Sequence, residues 1–449
     1  MRLVIFKMST TLKLLFLSTL TLTVKSNQCQ NSRIIFDGPT NDPINCIKDE
    51  FCILKCTCSK SVNLEFFKTS STPTKEFQYL KENIQTHPRP EKLFFENCSF
   101  SIIGREVFKR IHIQQPITEI SFKNGNLSRI DSNSFVFDQT EKVKLSFEKT
   151  EIRNLKHLAF GDNVNHVLIQ DSIVKDFSTD MFGGMNKEGL VEIPDSELNV
   201  ESANENVKIQ SMNFTNVRFK GRIVQTFLNV DLNTITFQKC NGIELNAPNA
   251  INILAKKVIF QDSELKLNSE DAIRATADEI IFEDCTFDQP QKKSLMGLTK
   301  INDASQLVMK NLFITDPAKG FFQTNFKKVS LDNITLDSCS RGCSLFEDLS
   351  CDGSDNRGFD SGLPCDDTKE LLKNHTSCRD GKTSKMAKDL CIPSMDNAAM
   401  GVMIATSLVL VIVLVICAIL FYKWFTHDRI KREQLKKWRF AYPQITQYK

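Results

Sequence analysis

Histidine is scarce in this 449-residue chain. There are six, one of them (His427) near the C-terminus, and none stands at a motif spacing from a Cys, Ser or Asp. No Gly-x-Ser-x-Gly elbow, His-Glu-x-x-His pair or phosphate-binding glycine loop occurs, so the sequence offers none of the hydrolase, metalloprotease or nucleotide chemistries that those motifs carry. The expectation is a protein that is not an enzyme and holds no cofactor or metal. Tyrosine is rare too, four residues against 34 phenylalanines, a bias that suits stacked buried rings with no hydroxyl to satisfy. Charge is missing altogether from residues 398–422, a run long enough to cross about 30 Å of hydrocarbon as a helix.

The residues that are present repeat. Ile117 to Phe135 has apolar residues at Ile117, Ile120, Phe122, Leu127, Ile130 and Phe135. If Ile117 is position 1, Glu119 to Lys123 alternate as a short strand with one buried face, and the later apolar positions follow a curved return. Position 4 recurs at Leu93, Ile120, Leu145, Val167, Val191, Val207, Ile235, Val258, Ile280, Leu307 and Val329. Position 6 recurs at Phe95, Phe122, Phe147, Ile169, Ile193, Ile209, Phe237, Phe260, Phe282, Met309 and Leu331. The spacings are 27, 25, 22, 24, 16, 28, 23, 22, 27 and 22 residues, and the 16 and 28 mark the weakest placement. A single such turn cannot bury its own core, so the turns must stack.

These turns resemble the extracellular leucine-rich-repeat (LRR) proteins, whose pattern is L-x-x-L-x-L-x-x-N/C-x-L, with Cys98, Cys240 and Cys285 at the N/C position. The expected fold is a mainly β repeat solenoid, a parallel sheet of about eleven LRR-like turns with an irregular return path, plus a single transmembrane α-helix. Phe108, Phe135, Phe160 and Phe182 fall at position 19 of the first four turns and are expected to stack ring on ring. From Ile235 the pattern changes. Residues 250–265 align without a gap to residues 272–287, and an extra alternating segment precedes the strand while position 19 is lost, as in a parallel β-helix.

The ends of the chain set its expected compartment. Residues 1–26 carry Arg2, Lys7 and Lys13 ahead of an apolar run, Leu14 to Val24, and read as a secretory signal peptide. Residues 398–422 read as a transmembrane helix. Residues 423–449 hold eight Lys or Arg against two acids and are placed in the cytoplasm by the positive-inside rule. The expected location is the plasma membrane, single-pass type I, with the N-terminal bulk outside. The segment between signal and helix is net acidic, which argues against nucleic acid as a partner, and the basic tail is expected against anionic lipid.

The rest of the chain divides at its cysteines. Residues 27–91 form a Cys-rich N-terminal cap with Cys29, Cys46, Cys52, Cys56 and Cys58, and the Cys52, Cys56, Cys58 spacing is similar to the caps of extracellular LRR proteins. The cysteine such caps usually place about ten residues on is missing around Phe67, so their pairing does not carry over. Five cysteines leave one over, and Cys98 is near enough in sequence order to take it. Residues 92–338 are the repeats. Residues 339–397 form a C-terminal cap and stalk with Cys339, Cys343, Cys351, Cys365, Cys378 and Cys391, in any of fifteen pairings. Cys240 and Cys285 sit two strand spacings apart, about 10 Å, beyond disulfide reach, and are expected free and buried.

Three sets of candidate sites follow. Asn97, Asn126, Asn213, Asn333 and Asn374 begin N-x-S/T glycosylation sequons. On the exposed face of the strands, positions 3 and 7 are mostly polar, but position 5 carries Phe94, Leu168, Ile259, Ile281 and Val308, an apolar stripe that reads as a partner-binding surface. In the tail, Tyr442 and Ile445 match the Tyr-x-x-apolar signal read by clathrin adaptors. The expected function is a cell-surface glycoprotein that binds an extracellular protein in adhesion or as a receptor or co-receptor. Two alternatives stand beside it: self-association as a structural surface protein, and a membrane-tethered β-helix enzyme acting on polysaccharide through exposed residues such as Lys257, Glu279 and Glu283.

Overall fold

The computed structural model describes residues 44–48, 53–64, 73–86, 91–111, 116–318, 321, 326, 328–337, 374, 376–380, 383–386 and 397–441. The described residues of the first of two units, residues 1–390, form a parallel β-solenoid. Its main sheet stacks one apolar position from turn to turn: Leu54, Leu93, Ile120, Leu145, Val167, Val191, Met212, Ile235, Val258, Ile280, Leu307 and Val329. All but Val329 are fully buried.

Two expectations are corrected by this register. The strand Ile53–Cys58 runs parallel to Lys92–Glu96, so the first rung of the solenoid lies inside the Cys-rich N-terminal segment. The sixth turn is set by Met212 and Phe214, which stack on Ile235 and Phe237, and not by Val207 and Ile209. With Met212 in place, the uneven spacings around this turn become 21 and 23 residues. Val207–Lys208 is a separate short strand paired with Val230 and Asp231.

From Lys92–Glu96 onward each turn has a corner at position 8, where the backbone takes a positive φ. The corner residues are Asn97, Asn124, Lys149, Asp171, Asp195, Asn216, Lys239, Asp262, Asp284, Asn311 and Asn333, with φ between 49° and 55°. Nine of the eleven are Asn or Asp, the non-glycine residues that tolerate this region best. Past the corner a second parallel sheet forms from residues 62–64, 99–103, 126–127, 151–152, 173–177, 197–200 and 218–220. Strand follows corner in this way in the early, LRR-patterned turns as well as the later ones.

The change anticipated at Ile235 is a lengthening of the strand. Leu228–Gln238, Ile251–Gln261 and Ile273–Glu283 each span 11 residues, whereas Lys92–Glu96 and Glu119–Lys123 span five. In each long strand the burial alternation shifts phase midway, as in Leu228, Val230 and Leu232 followed by Ile235 and Phe237. The strand therefore turns a corner and contributes to two faces.

Phenylalanine fills the core in ladders. At position 19, Phe108, Phe135, Phe160 and Phe182 stack with centroids 5.4, 5.6 and 5.4 Å apart, as the spacing predicted. At position 6 a second ladder runs Phe95, Phe122, Phe147, gives way to Ile169 and Ile193, and resumes as Phe214, Phe237, Phe260, Phe282 at 4.9, 4.6 and 4.9 Å. Each stacked pair adds about 0.5–1.5 kcal/mol to the burial of its rings.

Antiparallel strands lie next to both ends of the stack. Ile44–Lys48 pairs antiparallel with Ile53–Cys58, and Thr376–Asp380, parallel to the last long strand, pairs antiparallel with Thr383–Met386. The helix Lys75–Thr86 packs near the N-terminal end with Phe77, Leu80 and Ile84 buried at i, i+3, i+7 spacing. Thr74 caps it, its hydroxyl accepting from the Phe77 amide at 3.3 Å and donating to the Asn63 carbonyl at 2.7 Å. The described residues of the second unit form one helix, Asn397–Ala441, within which residues 406–437 include a window long and apolar enough to cross a membrane.

Candidate functional site

The outward face of the main sheet is three rows wide. Position 5 runs down its middle as Phe94, Ser121, Ser146, Leu168, Glu192, Asn213, Thr236, Ile259, Ile281, Val308 and Ser330, each beside the next. Of the five apolar residues expected to form a stripe, Ile259, Ile281 and Val308 are contiguous and half-buried. Leu168 is four strand spacings from Ile259, about 19 Å, with Glu192, Asn213 and Thr236 between them. Phe94 is three spacings further on. The stripe is thus a three-residue patch, and the other two apolar residues are outliers on the same row.

Charged residues flank the patch and pair along the stack. On one side Lys257 Nζ contacts Glu279 Oε2 at 2.7 Å, and Gln306 Nε2 donates to Glu279 Oε1 at 2.6 Å. On the other, Lys310 Nζ contacts Glu283 Oε1 at 3.0 Å. The Lys257 hydrogen bond holds the Glu279 carboxyl below its ordinary range, and the Glu283 hydrogen bond raises the Lys310 ammonium above its own. The same ladder pattern runs along the early rungs, with Lys55 to Glu96 at 2.6 Å, Lys92 to Glu119 at 2.8 Å and Lys123 to Glu148 at 3.0 Å. Lys257, Glu279 and Glu283 therefore stand in cross-strand ion pairs, a sheet-stabilising arrangement.

Between Leu168 and Ile259 the face dips into a shallow depression of about 390 Å³ lined by Leu168, Glu192, Pro194, Asn213, Thr236 and Gln238 among others. His166 Nε2 lies 2.7 Å from Glu192 Oε2 at its edge. A second groove, about 350 Å³, opens on the face made by the first halves of the long strands, where Leu254 and Ile301 are 44 % and 47 % exposed beside Lys187, Lys208 and Lys256. The sequence reading missed this groove because it assigned that half of the strand no face of its own.

The sequons separate into distinct environments. Asn97 and Asn333 are exposed at left-handed corners, and Asn374 is exposed. Asn126 is half-buried with its Oδ1 enclosed and unpaired. Asn213, which Val207 at position 4 would place past the strand, lies mid-strand on the outward face at position 5.

Behind the corner, position 9 forms a buried hydrogen-bond ladder that the repeat pattern marked only through its cysteines. Thr150, Ser172, Ser196, Cys240, Ser263 and Cys285 each donate to a carbonyl of their own turn and one of the turn before. Ser172 does so to Gln170 at 2.6 Å and Phe147 at 3.2 Å, Ser263 to Gln261 at 2.8 Å and Phe237 at 3.2 Å. The Cys240 thiol reaches Gln238 at 3.5 Å and Phe214 at 3.6 Å, and Cys285 reaches Glu283 and Phe260 at 3.3 Å. Both cysteines are free and buried, and burial pushes each thiol up to about 12. They are structural hydrogen-bond donors, not nucleophiles.

Of the other cysteines, Cys46 pairs with Cys56 and Cys58 with Cys98, and Cys378 is disulfide-bonded. Cys29, Cys52, Cys339, Cys343, Cys351, Cys365 and Cys391 lie outside the described residues, as do the signal segment and Tyr442 and Ile445. Among the described residues no group of His, Cys, Asp and Glu is arranged to hold a metal ion. No family model matches this chain, and neither curated proteins nor solved structures give a match.

Proposed function

We propose that the chain is a single-pass cell-surface glycoprotein, akin to the extracellular LRR proteins, whose solenoid binds another protein through the patch Ile259, Ile281 and Val308. The observation that carries this reading is the contiguity of three branched aliphatic side chains on an outward sheet face, rimmed on both sides by paired charges. An apolar centre with a polar rim is the usual anatomy of a protein interface. The patch covers three rungs, about 10 Å, so it supplies the anchor of an interface and the flanking rows supply its rim. The patch lies on the outward face of a rigid stacked sheet, which suits recognition without reorganisation.

The exposed sequon asparagines Asn97 and Asn333 sit at the corner, off this row, and leave the patch open to a partner. Asn213 is two rungs from Ile259, so a glycan there bounds the patch on its N-terminal side. An adhesive or co-receptor role that acts through the bound protein fits this outward patch best.

The test uses the secreted ectodomain, residues 27–397, with Ile259→Asp and Ile281→Asp together. Capture of cell-surface proteins by the wild type is expected to fall at least about tenfold in the double variant, a loss on the scale of a single hot spot. Undiminished capture, with an unchanged unfolding transition, overturns the reading. Concentration-dependent sedimentation of the wild type that the same variant abolishes identifies the bound protein as a second copy.

A further inference from the structure

The helix Asn397–Ala441 does not end where its apolar run ends. It continues unbroken through Lys423 into the most basic stretch of the chain. In that continuation Arg429, Arg432 and Lys436 follow one another at spacings of three and four, which places them on one helix face. Trp424 and Leu435, 11 residues or three turns apart, share a neighbouring face. All five side chains are exposed. Lys423, Lys431 and Lys437 lie off the basic face and keep the whole circumference positive. The acids are Asp428, paired with Arg432 at 2.9 Å, and Glu433.

A straight helix wastes this charge on a membrane. At 1.5 Å per residue, Arg429 stands about 10 Å and Lys436 about 21 Å beyond Tyr422, while an anionic surface is felt over about 8 Å in physiological salt. The boundary carries a bending device. The Thr426 hydroxyl bonds back to the carbonyls of Tyr422 at 2.8 Å and Lys423 at 2.9 Å, the i−4 and i−3 contacts by which threonine bends helices. A bend there brings the basic face down to the headgroups and Leu435 to the interface, where Trp424, two residues past Tyr422, already stands and where tryptophan is favoured.

We propose that residues 423–441 bind the anionic headgroups of the membrane that their own helix enters, hinging at Thr426. This rests on the reading that the apolar helix spans a membrane. The occupant is fixed by charge and by continuity: the segment is tethered to the lipid surface by its own span, and its charge is opposite to that of anionic lipid.

The chain's two tryptophans, Trp424 and Trp438, both fall in this segment, so intrinsic fluorescence of the full-length protein reports on it without background. The Trp424→Phe variant leaves Trp438 alone, 16 residues past Tyr422. Reconstituted in phosphatidylcholine bilayers containing phosphatidylserine and a headgroup-level spin label, Trp438 is expected to be quenched. Quenching is expected to weaken in phosphatidylcholine alone and in about 1 M salt, where the field reaches only about 3 Å. Arg432→Gln with Lys436→Gln is expected to lower the docked-to-undocked ratio about 30-fold, about fivefold for each charge removed. Thr426→Ala is expected to shift the ratio the same way. Alkaline extraction of the same membranes separates the two ways of failing. Protein retained in the pellet with Trp438 unquenched, or quenched equally with and without phosphatidylserine, overturns the lipid proposal alone. Release to the supernatant overturns the span and the proposal with it.

Discussion

Ser263 is the most informative single atom to remove from the solenoid. Its Oγ, in a side chain only 3 % exposed, accepts from the Cys240 amide at 3.0 Å and shares its proton between the carbonyls of Gln261 and Phe237. Ser263→Ala deletes one buried hydroxyl and leaves the buried Cys240 amide without its acceptor. A net hydrogen bond contributes about 0.5–1.5 kcal/mol, and an unsatisfied buried donor costs about 1–3, so a loss of about 2–3 kcal/mol is expected. The matched control is Cys240→Ser, which puts at one rung the residue that Ser172, Ser196 and Ser263 already use at theirs, and is expected to stay within about 1 kcal/mol of wild type. Urea unfolding of the ectodomain gives the magnitudes, and hydrogen exchange at the Cys240 amide localises the effect, since a stacked repeat opens locally. If Ser263→Ala changes stability by less than about 0.5 kcal/mol with the Cys240 amide still protected, or if Cys240→Ser is worse than Cys240→Ala, the ladder is not what holds the corner.

The two buried free thiols, Cys240 and Cys285, make stability fall at high pH. An unfolded thiol ionises near 8.5 while the folded ones hold their protons to about 12, so between those values the unfolded state binds fewer protons and is favoured as pH rises, by up to about 1.4 kcal/mol per pH unit for each thiol. Unfolding transitions of Cys240→Ser with Cys285→Ser are expected to lose that part of the slope. For the ring ladder, Phe260 lies between Phe237 and Phe282 at 4.6 and 4.9 Å. Phe260→Ala is expected to cost about 3–5 kcal/mol and Phe260→Leu markedly less, read from the same urea transitions.

Most of the stacking was legible because it is periodic. Leu93, Ile120, Leu145 and Val167 share an alternating strand at similar intervals, and position 19 repeats as Phe in four successive turns, so register and ring stack follow from spacing alone. The sixth turn was misread for the same reason. Val207-Lys208-Ile209 alternates as well as Met212-Asn213-Phe214 does, and both are strand-like with an inward apolar face. The signal that separates them is chemical. Four residues past Met212 comes Asn216, suited to the left-handed corner, whereas four past Val207 comes Ser211, an ordinary strand residue paired with Thr234. An Asn or Asp at position 8 is the better ruler for this solenoid. The Val207 register likewise puts Asn213 past the strand, whereas it lies on the outward face.

The outward patch has a competing structural explanation, and the chemistry of its residues decides how to separate the two. Branched aliphatic side chains side by side on a sheet stabilise it by about 0.2–1 kcal/mol per pair whether or not anything binds. Position 5 in the shorter strands shows that the sheet does not require them, since Ser121, Ser146 and Asn213 occupy the same row. An aspartate at Ile281 tests both roles at once, because it sets a charge beside Glu279 and Glu283 on its own strand. Threonine does not. Ile281→Thr keeps the β-branch that the strand favours and removes the apolar surface that a partner would cover, so it should leave the unfolding midpoint nearly unchanged while capture falls. If Ile281→Thr binds as wild type and loses stability instead, the patch belongs to the sheet and not to an interface.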